Sequence, residues 1–255
     1  MLIQHILFAT FALAAATGAA CAGARSDYPS LYLTTETSAP SSMQDREGRV
    51  IGIATDKVRA AFERAAVPYT IDLLPWKRAY AAARTRPDAC VYSTTRTPER
   101  QALFKWIGPT DSAEWVFMAR AGSGIKLRTL EDARPYRIGT YNGDARDGYL
   151  RSRGFRVDAA PTDLTNPHKL LLGRIDLWAA ALRAGSPVLE QNGWSESIVP
   201  VLVFRRIDLF LACNRAVPDA VVRRLNGAFA SLERDGTMRR IERSYDDWNG
   251  PAGGR

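Results

Sequence analysis

The chain alternates between short apolar runs and amphipathic stretches, and this alternation limits the folds that it can adopt. Residues 31–36, 68–74 and 88–92 are apolar runs of strand length. Helical patterns lie between them, one over 52–66 and one that starts near Trp76. Strand, helix, strand, helix, strand is a βαβαβ unit, which predicts a mostly parallel sheet flanked by helices.

A second α/β unit follows the first without a flexible linker. Its predicted strands are 114–119, 136–141, 155–157, 174–178, 198–204 and 207–213, and its predicted helices are 145–153, 164–172, 218–232 and 236–245. The fold class is therefore α/β, and 255 residues are enough for two lobes. Pockets form preferentially between such lobes, so we expect a ligand cleft there.

The end of the third strand carries the clearest indication of a binding site. The strand 88–92 opens into Ser93, Thr94 and Thr95, and ligands of open α/β sheets bind at such carboxyl ends. Arg100 follows in a helical turn, and its planar guanidinium matches a carboxylate with two parallel hydrogen bonds. The alternative is ordinary loop chemistry, because a Ser/Thr-rich strand end and a solvated arginine are common features.

The first 24 residues are predicted to be a secretory signal peptide. The apolar run 3–20 is followed by small residues that fit a cleavage site. Two alternatives remain, an uncleaved membrane anchor and lipid attachment at Cys21. Gly18 stands where lipoprotein signals carry Leu or a similar residue, which disfavours the lipid.

Charge and residue types exclude several classes of partner. The formal charge is +8, with only five lysines, and the arginines are scattered instead of forming a stripe interleaved with aromatics. We therefore expect no nucleic-acid partner. The two histidines, His5 and His168, form no cluster with metal-ligand spacing, and no phosphate loop or nucleophile set is present, so we expect no metal and no cofactor.

Four segments of the chain resemble the bacterial extracellular solute-binding proteins of family 3, which serve amino-acid ABC transporters. They are STTRTPER at 93–100, FKWIGP at 104–109, GRID at 173–176 and the long closing stretch at 225–245. The resemblance covers essentially the whole mature chain. It implies a periplasmic, monomeric binding protein without enzymatic activity, which delivers its ligand to the membrane permease of an ABC transporter.

The resemblance also implies a type II periplasmic-binding fold in which a two-strand hinge joins two lobes. Lobe one would hold 25–112 and 208–250, and lobe two would hold 113–207. It further implies that the strands of Cys90 and Cys213 are neighbours, so that a disulfide is possible. From the spacing alone, two buried thiols that never meet are equally compatible with the sequence.

The family's ligand contacts transfer only in part. Arg100 matches the arginine that holds the ligand α-carboxylate, and Ser93 and Thr95 match its hydroxyl and backbone partners, with Thr94 between them. The acidic residue that meets the ligand's α-ammonium is replaced by Ala181. Either the ligand lacks an α-amine, or another acid takes this role, for which the candidates are Glu36, Asp144 and Asp147.

Further candidate contacts lie at other strand ends. Tyr141, Gly143 and Asp144 form the strand-to-helix turn of lobe two, where free N–H groups meet anions, although Asp144 is better suited to cap the helix. Trp76 and Arg78 follow the second strand. The indole of Trp76 would either stack on a ligand or pack under the next helix, and Arg78 would add positive charge. Glu36 ends the first strand, facing the cleft or solvent.

Two other functions remain as alternatives. A periplasmic dehydratase-like enzyme on the same scaffold would need a general acid in the cleft, for which Glu36 is the candidate. A stand-alone sensor lobe of a membrane receptor would capture its ligand in the same way as a transport protein.

Overall fold

The computed structural model describes residues 28–246; the predicted signal peptide and Cys21 lie outside this range. The first elements in chain order are β1 (Leu31–Thr35), β2 (Met43–Gln44), β3 (Val50–Ile51), α1 (Ile53–Ala65), β4 (Tyr69–Leu73), α2 (Trp76–Thr85), β5 (Ala89–Thr95) and α3 (Pro98–Gln101). The next are β6 (Lys105–Arg120), the 3-10 turn Leu130–Ala133, β7 (Arg137–Tyr141), α4 (Ala145–Arg151) and β8 (Arg156–Ala160). The last are α5 (Thr165–Leu171), β9 (Leu177–Ala181), α6 (Leu182–Gln191), β10 (Ile198–Cys213), α7 (Asp219–Arg234) and α8 (Thr237–Arg243).

A single eight-stranded sheet, in the order β4-β1-β5-β10-β6-β9-β7-β8, forms the centre of the fold. Strands β4, β1 and β5 are parallel and form what we call the first half of the sheet. Strands β9, β7 and β8 are also parallel and form the second half. Helices flank both halves, so the predicted mainly parallel α/β architecture is confirmed.

Two antiparallel strands of 16 residues, β6 and β10, join the halves. Their central register pairs Ile207 with Ala113 and Asp208 with Ser112. The prediction of separate strands at 198–204 and 207–213 is wrong, because β10 is continuous. The run of Arg205, Arg206 and Asp208 interrupts the apolar pattern, but residues 205–209 pair in unbroken register with residues 115–111 of β6, so the strand continues through it.

Each half packs its own apolar core, which fixes the strands whose ends form the site. In the first half, Val58 and Phe62 of α1 and Leu225 and Phe229 of α7 are buried in one cluster. In the second half, Phe117 of β6 is buried in a separate cluster with neighbours from β7, α4 and β9. Helix α6 was not predicted because Gly185 and Pro187 weaken its helical pattern.

A disulfide joins the first half to β10. Strand β10 pairs with β5 so that Cys213 lies opposite Cys90, and their sulfur atoms are bonded across a sequence separation of 123 residues. Both residues are fully buried. A bridge that closes so long a loop restricts the unfolded chain strongly.

Reduction is expected to release two thiols and to lower the free energy of unfolding by about 2–4 kcal/mol. Thiol counts in denatured protein and urea unfolding, each with and without reductant, measure the two effects. The double variant Cys90→Ser/Cys213→Ser is the control and should not respond to reductant. Equal thiol counts in the wild-type protein under both conditions would contradict the bridge.

Candidate ligand-binding site

A cavity of about 100 Å³, which we call the inner cavity, lies where strands of both halves end. Glu36 follows β1, and Ser93 and Thr95 close β5 in the first half. Tyr141 ends β7 and Ala181 ends β9 in the second half. The carboxyl ends of parallel strands are the usual ligand site in open α/β sheets. The inner cavity therefore lies where a ligand would contact both halves.

Ser93 has an unusual backbone and an unused hydroxyl. Its φ angle is 56°, in the left-handed region that residues other than glycine seldom adopt. Its Oγ is buried and has no hydrogen-bond partner among the described residues. Strain and an orphan polar atom at a strand end both point to a functional position. The orphan hydroxyl is available to a ligand in the inner cavity.

Arg100 is not among the residues that line the inner cavity, but it contacts the lining residue Thr95 and bridges the two halves. Its Nη2 donates to the Gly143 carbonyl oxygen at 3.0 Å, and its Nη1 donates to the Thr95 carbonyl oxygen at 3.4 Å. Its guanidinium also lies 5.7 Å from the centre of the Trp76 ring. Among the described residues Arg100 has no acidic partner within ion-pair distance. Its positive charge is therefore free to meet an anion.

Glu36 carries the most strongly perturbed carboxyl of the site. The Tyr141 hydroxyl donates to its Oε1 at 2.7 Å, which links the first half to the second. Burial raises the pKa of Glu36 to about 7, and the Tyr141 hydrogen bond opposes this rise only partly. Asp144 and Asp163 raise the pKa further, whereas Arg146 lowers it. The carboxyl is thus poised between its neutral and charged forms near neutral pH.

This pKa predicts a pH-dependent stability. The folded pKa is raised from 4.5 to about 7, so between these values the folded protein holds a proton that the unfolded chain has lost. Because unfolding then releases a proton, the free energy of unfolding should fall as the pH rises through this window. The contribution is at most about 1.4 kcal/mol per pH unit and stops above the folded pKa. Urea midpoints between pH 4.5 and 8 measure this pH dependence, and Glu36→Gln should remove it. The same dependence of stability on pH in both proteins would contradict the raised pKa of Glu36.

Two arginines that the sequence reading missed also line the inner cavity. Arg146 is buried and its Nε donates to Asp144 Oδ1 at 2.6 Å, while its Nη2 lies 3.2 Å from Asp163 Oδ2. Asp144 accepts the Arg146 backbone N–H as well, so it caps α4, as its position in the turn predicted. Arg183, at the start of α6, is the second missed arginine.

Arg183 belongs to an ion network at the crossing strands. Its Nη1 lies 3.0 Å from Asp111 Oδ2, and Lys57 Nζ lies 2.9 Å from Asp111 Oδ1. Lys57 also pairs with Glu242 at 2.5 Å. The side chains of Asp111 and Lys57 are 2% and 3% exposed, so each of these buried charges is neutralised by the other. Of the described carboxylates that line the inner cavity, Glu36 alone has no cationic partner within ion-pair distance.

The other predicted site residues lie at different depths. Trp76 lines the inner cavity and donates from Nε1 to the Gly143 carbonyl oxygen at 3.1 Å. Thr94 is buried and donates to the Val91 carbonyl oxygen, so its hydroxyl serves the backbone. Arg78 is exposed and outside the cavity lining.

The structure also locates the residues that bear on a ligand amine. Ala181 lines the inner cavity, so a methyl group stands at the position where the resemblance implied an acid. Asp147 accepts from Thr140 Oγ1 at 2.9 Å and pairs with Arg151, away from the lining. Asp147, like Thr94 and Arg78, is therefore not among the residues that line the inner cavity.

Two properties of residues 28–246 concern metal ions and membranes. Within this range, His, Cys, Asp and Glu side chains form no group of three or more that could hold a metal ion. The helices of the same range include none with the length and apolar character of a membrane span.

Comparisons with solved structures show the same fold. A histidine kinase sensor domain with similarity to periplasmic binding proteins superposes with a TM-score of 0.79 at 18% identity, covering 88% of this chain and 98% of that one. The arginine-, lysine-, histidine-binding protein ArtJ from Geobacillus stearothermophilus gives 0.74 at 16% identity, with 86% and 95% covered. Holo ArgBP from T. maritima gives 0.69 at 18% identity, with 85% and 96% covered.

Sequence comparison places the chain in a family. No curated protein matches it. The model of the bacterial extracellular solute-binding proteins, family 3, matches residues 32–247, which is most of the chain. The fold described above is in keeping with this match. The chain belongs to the bacterial extracellular solute-binding proteins of family 3.

Proposed function

We propose that this protein captures a small carboxylate-bearing solute, an amino acid or a related acid, in the inner cavity. One observation carries the proposal: two groups on the first half, Arg100 and Glu36, reach across to the second half and have no described ionic partner. Unsatisfied charge and the orphan Ser93 hydroxyl are features that a bound solute would complete. Members of the family are typically binding proteins, and we propose no catalytic step here.

Arg100 would hold the ligand carboxylate, with Ser93 and Thr95 as hydrogen-bonding partners. The carboxylate would replace the neutral carbonyl oxygens that Arg100 now contacts, and a charge-assisted bidentate pair is the stronger interaction. An ammonium group on the ligand would need a counter-charge, because a buried unpaired ion is unstable. Glu36 is the acid of the lining that is free to supply it.

The lobe boundaries proposed from the sequence fit this mode of capture. Residues 25–112 and 208–250 would move as one lobe and 113–207 as the other, with the centres of β6 and β10 as the hinge. We propose that the protein acts as a monomer in the periplasm after loss of its signal peptide. It would deliver the solute to the permease of an ABC transporter.

The similarity to a histidine kinase sensor domain supports a second candidate, a sensor that reports the same solute to a membrane receptor. A dehydratase-like activity is a third, because Glu36 has the raised pKa that a general acid needs. Product formation that Glu36→Gln abolishes, while leaving binding intact, would favour this enzyme over both binding roles. Uptake lost together with a neighbouring permease gene would favour transport over sensing.

A thermal-shift screen tests the proposed function. The purified protein is heated with α-amino acids, with amine-free carboxylates and with small dipeptides, since a ligand that binds the folded state must stabilise it. We expect a rise in Tm with at least one carboxylate. A rise in Tm limited to amine-free acids would indicate that the ligand lacks an amine, in keeping with the missing acid at Ala181. No rise with any carboxylate would contradict the proposal.

A further inference from the structure

A second and larger cavity adjoins the inner one. This outer cavity encloses about 580 Å³ and shares part of its lining with the inner cavity. The shared residues are Glu36, Ser38, Trp76, Tyr141, Arg146 and Ala181. The contact between Glu36 and Tyr141 in this shared wall is a single hydrogen bond of 2.7 Å. A ligand that spanned both spaces would therefore meet this hydrogen bond.

The two cavities differ in chemistry. Hydroxyl groups and charged side chains dominate the inner lining, including Ser41, Ser93 and Arg183. The outer cavity adds apolar surface from both halves of the sheet, contributed by Leu73, Leu74, Pro75, Leu164, Trp178 and Val188. Leu164, one of these residues, is 62% exposed. An apolar group in the outer cavity would cover part of this surface.

The two cavities also differ in volume. Pockets that enclose small ligands usually measure about 300–1,000 Å³. The inner cavity is well below this range, and the outer cavity lies within it. The inner cavity alone accommodates a group the size of a carboxylate and a few neighbouring atoms. A ligand with a larger side group would need the outer space as well.

Building on the function proposed above, we infer that the ligand is a carboxylic acid with a ring-sized apolar tail. Its carboxylate lies in the inner cavity beside Arg100, and its tail lies in the outer cavity between Leu74 and Val188. Trp76 and Tyr141 stand in the wall that both parts of the ligand touch. Aromatic walls of this kind favour a ring, because offset and edge-to-face ring contacts add to the burial of apolar area.

Two matched pairs of probes test this inference by calorimetric titration. One pair is 3-phenylpropanoate and propanoate, and the other is phenylalanine and alanine, so that each pair differs by the ring alone. We expect the ring-bearing member of at least one pair to bind tenfold or more tightly than its partner. Val188 lines the outer cavity but not the inner one, and Val188→Asn replaces part of its apolar wall with a neutral amide. This variant should reduce the ring's advantage, because less apolar surface remains for the ring to contact, and it should leave binding of the short acid unchanged.

Val203→Asn is the matched control, since Val203 is exposed on β10 outside both cavities, and it should keep the ring's advantage. Equal binding of both members of each pair would overturn the inference while leaving the proposed capture of small carboxylates intact. A ring advantage that is undiminished in Val188→Asn would overturn the outer cavity as its location. Failure of all four probes would overturn the inference, and the broader screen would then decide the proposed function separately.

Discussion

Replacing Asp111 with alanine is expected to lower the free energy of unfolding by roughly 3–5 kcal/mol, the usual effect of breaking a buried ion pair. Lys57 would lose its 2.9 Å partner while its side chain remains 3% exposed. Glu242 would still reach Lys57, but the Glu242 side chain is 41% exposed and thus partly screened by water. Arg183 would lose its partner at the start of α6 as well.

Urea unfolding followed by circular dichroism measures this loss as a lower midpoint with an unchanged slope. Asp88→Ala is the matched control, because Asp88 pairs with Arg86 at the surface, where the two side chains are 39% and 51% exposed. An exposed pair of this kind contributes at most about 1 kcal/mol. A similar small loss in both variants would show that the Asp111 network does not stabilise the crossing strands.

Replacing Arg100 with alanine is expected to weaken ligand binding by roughly 2–5 kcal/mol, which is about 30-fold to several thousand-fold in affinity. The ligand carboxylate would stay in the inner cavity without the guanidinium that neutralises it. The fold should survive, because Arg100 is only partly buried and its contacts are two backbone carbonyl oxygens and the aromatic faces of Trp76 and Tyr80.

Calorimetric titration with the strongest ligand of the screen measures this loss. The control is Arg96→Ala, four residues earlier, where the guanidinium is exposed and its Nε contacts Gln101 Oε1 at 2.7 Å outside the cavity. Arg96→Ala should bind like the wild type. Wild-type affinity in Arg100→Ala, with the thermal unfolding curve unchanged, would remove Arg100 from the site.

Local patterns predicted the elements that bring the site together. The run 31–36 became β1, with Glu36 just beyond its end, and the strand 88–92 became β5, which continues through the predicted hydroxyl cluster to Thr95. Apolar period and strand length decide such elements locally. The long strands β6 and β10 were less visible, since their polar centres interrupt the apolar run at the crossing. Pairing across the sheet, which no local pattern contains, keeps these centres extended.

The charged partners of the site were not predictable in the same way. Lys57 and Asp111 are 54 positions apart, and Arg183 is 72 positions beyond Asp111, so their meeting depends on the completed sheet. From the sequence alone, Arg146 is indistinguishable from the other arginines that are expected at the surface of helices. A signal did exist, because Asp144 two residues earlier and Asp163 supply acids close to it in sequence. Among so many arginines, this signal does not single out Arg146.

We propose that a small carboxylate is held between the two halves of the sheet. A crystal structure of the protein with the ligand that gives the largest thermal shift tests this claim most directly. We predict ligand density in the inner cavity, with the carboxylate within hydrogen-bond distance of Arg100 and Ser93 and with Tyr141 of the second half in contact. Ligand bound at another surface, or contacting only one half of the sheet, would contradict the account.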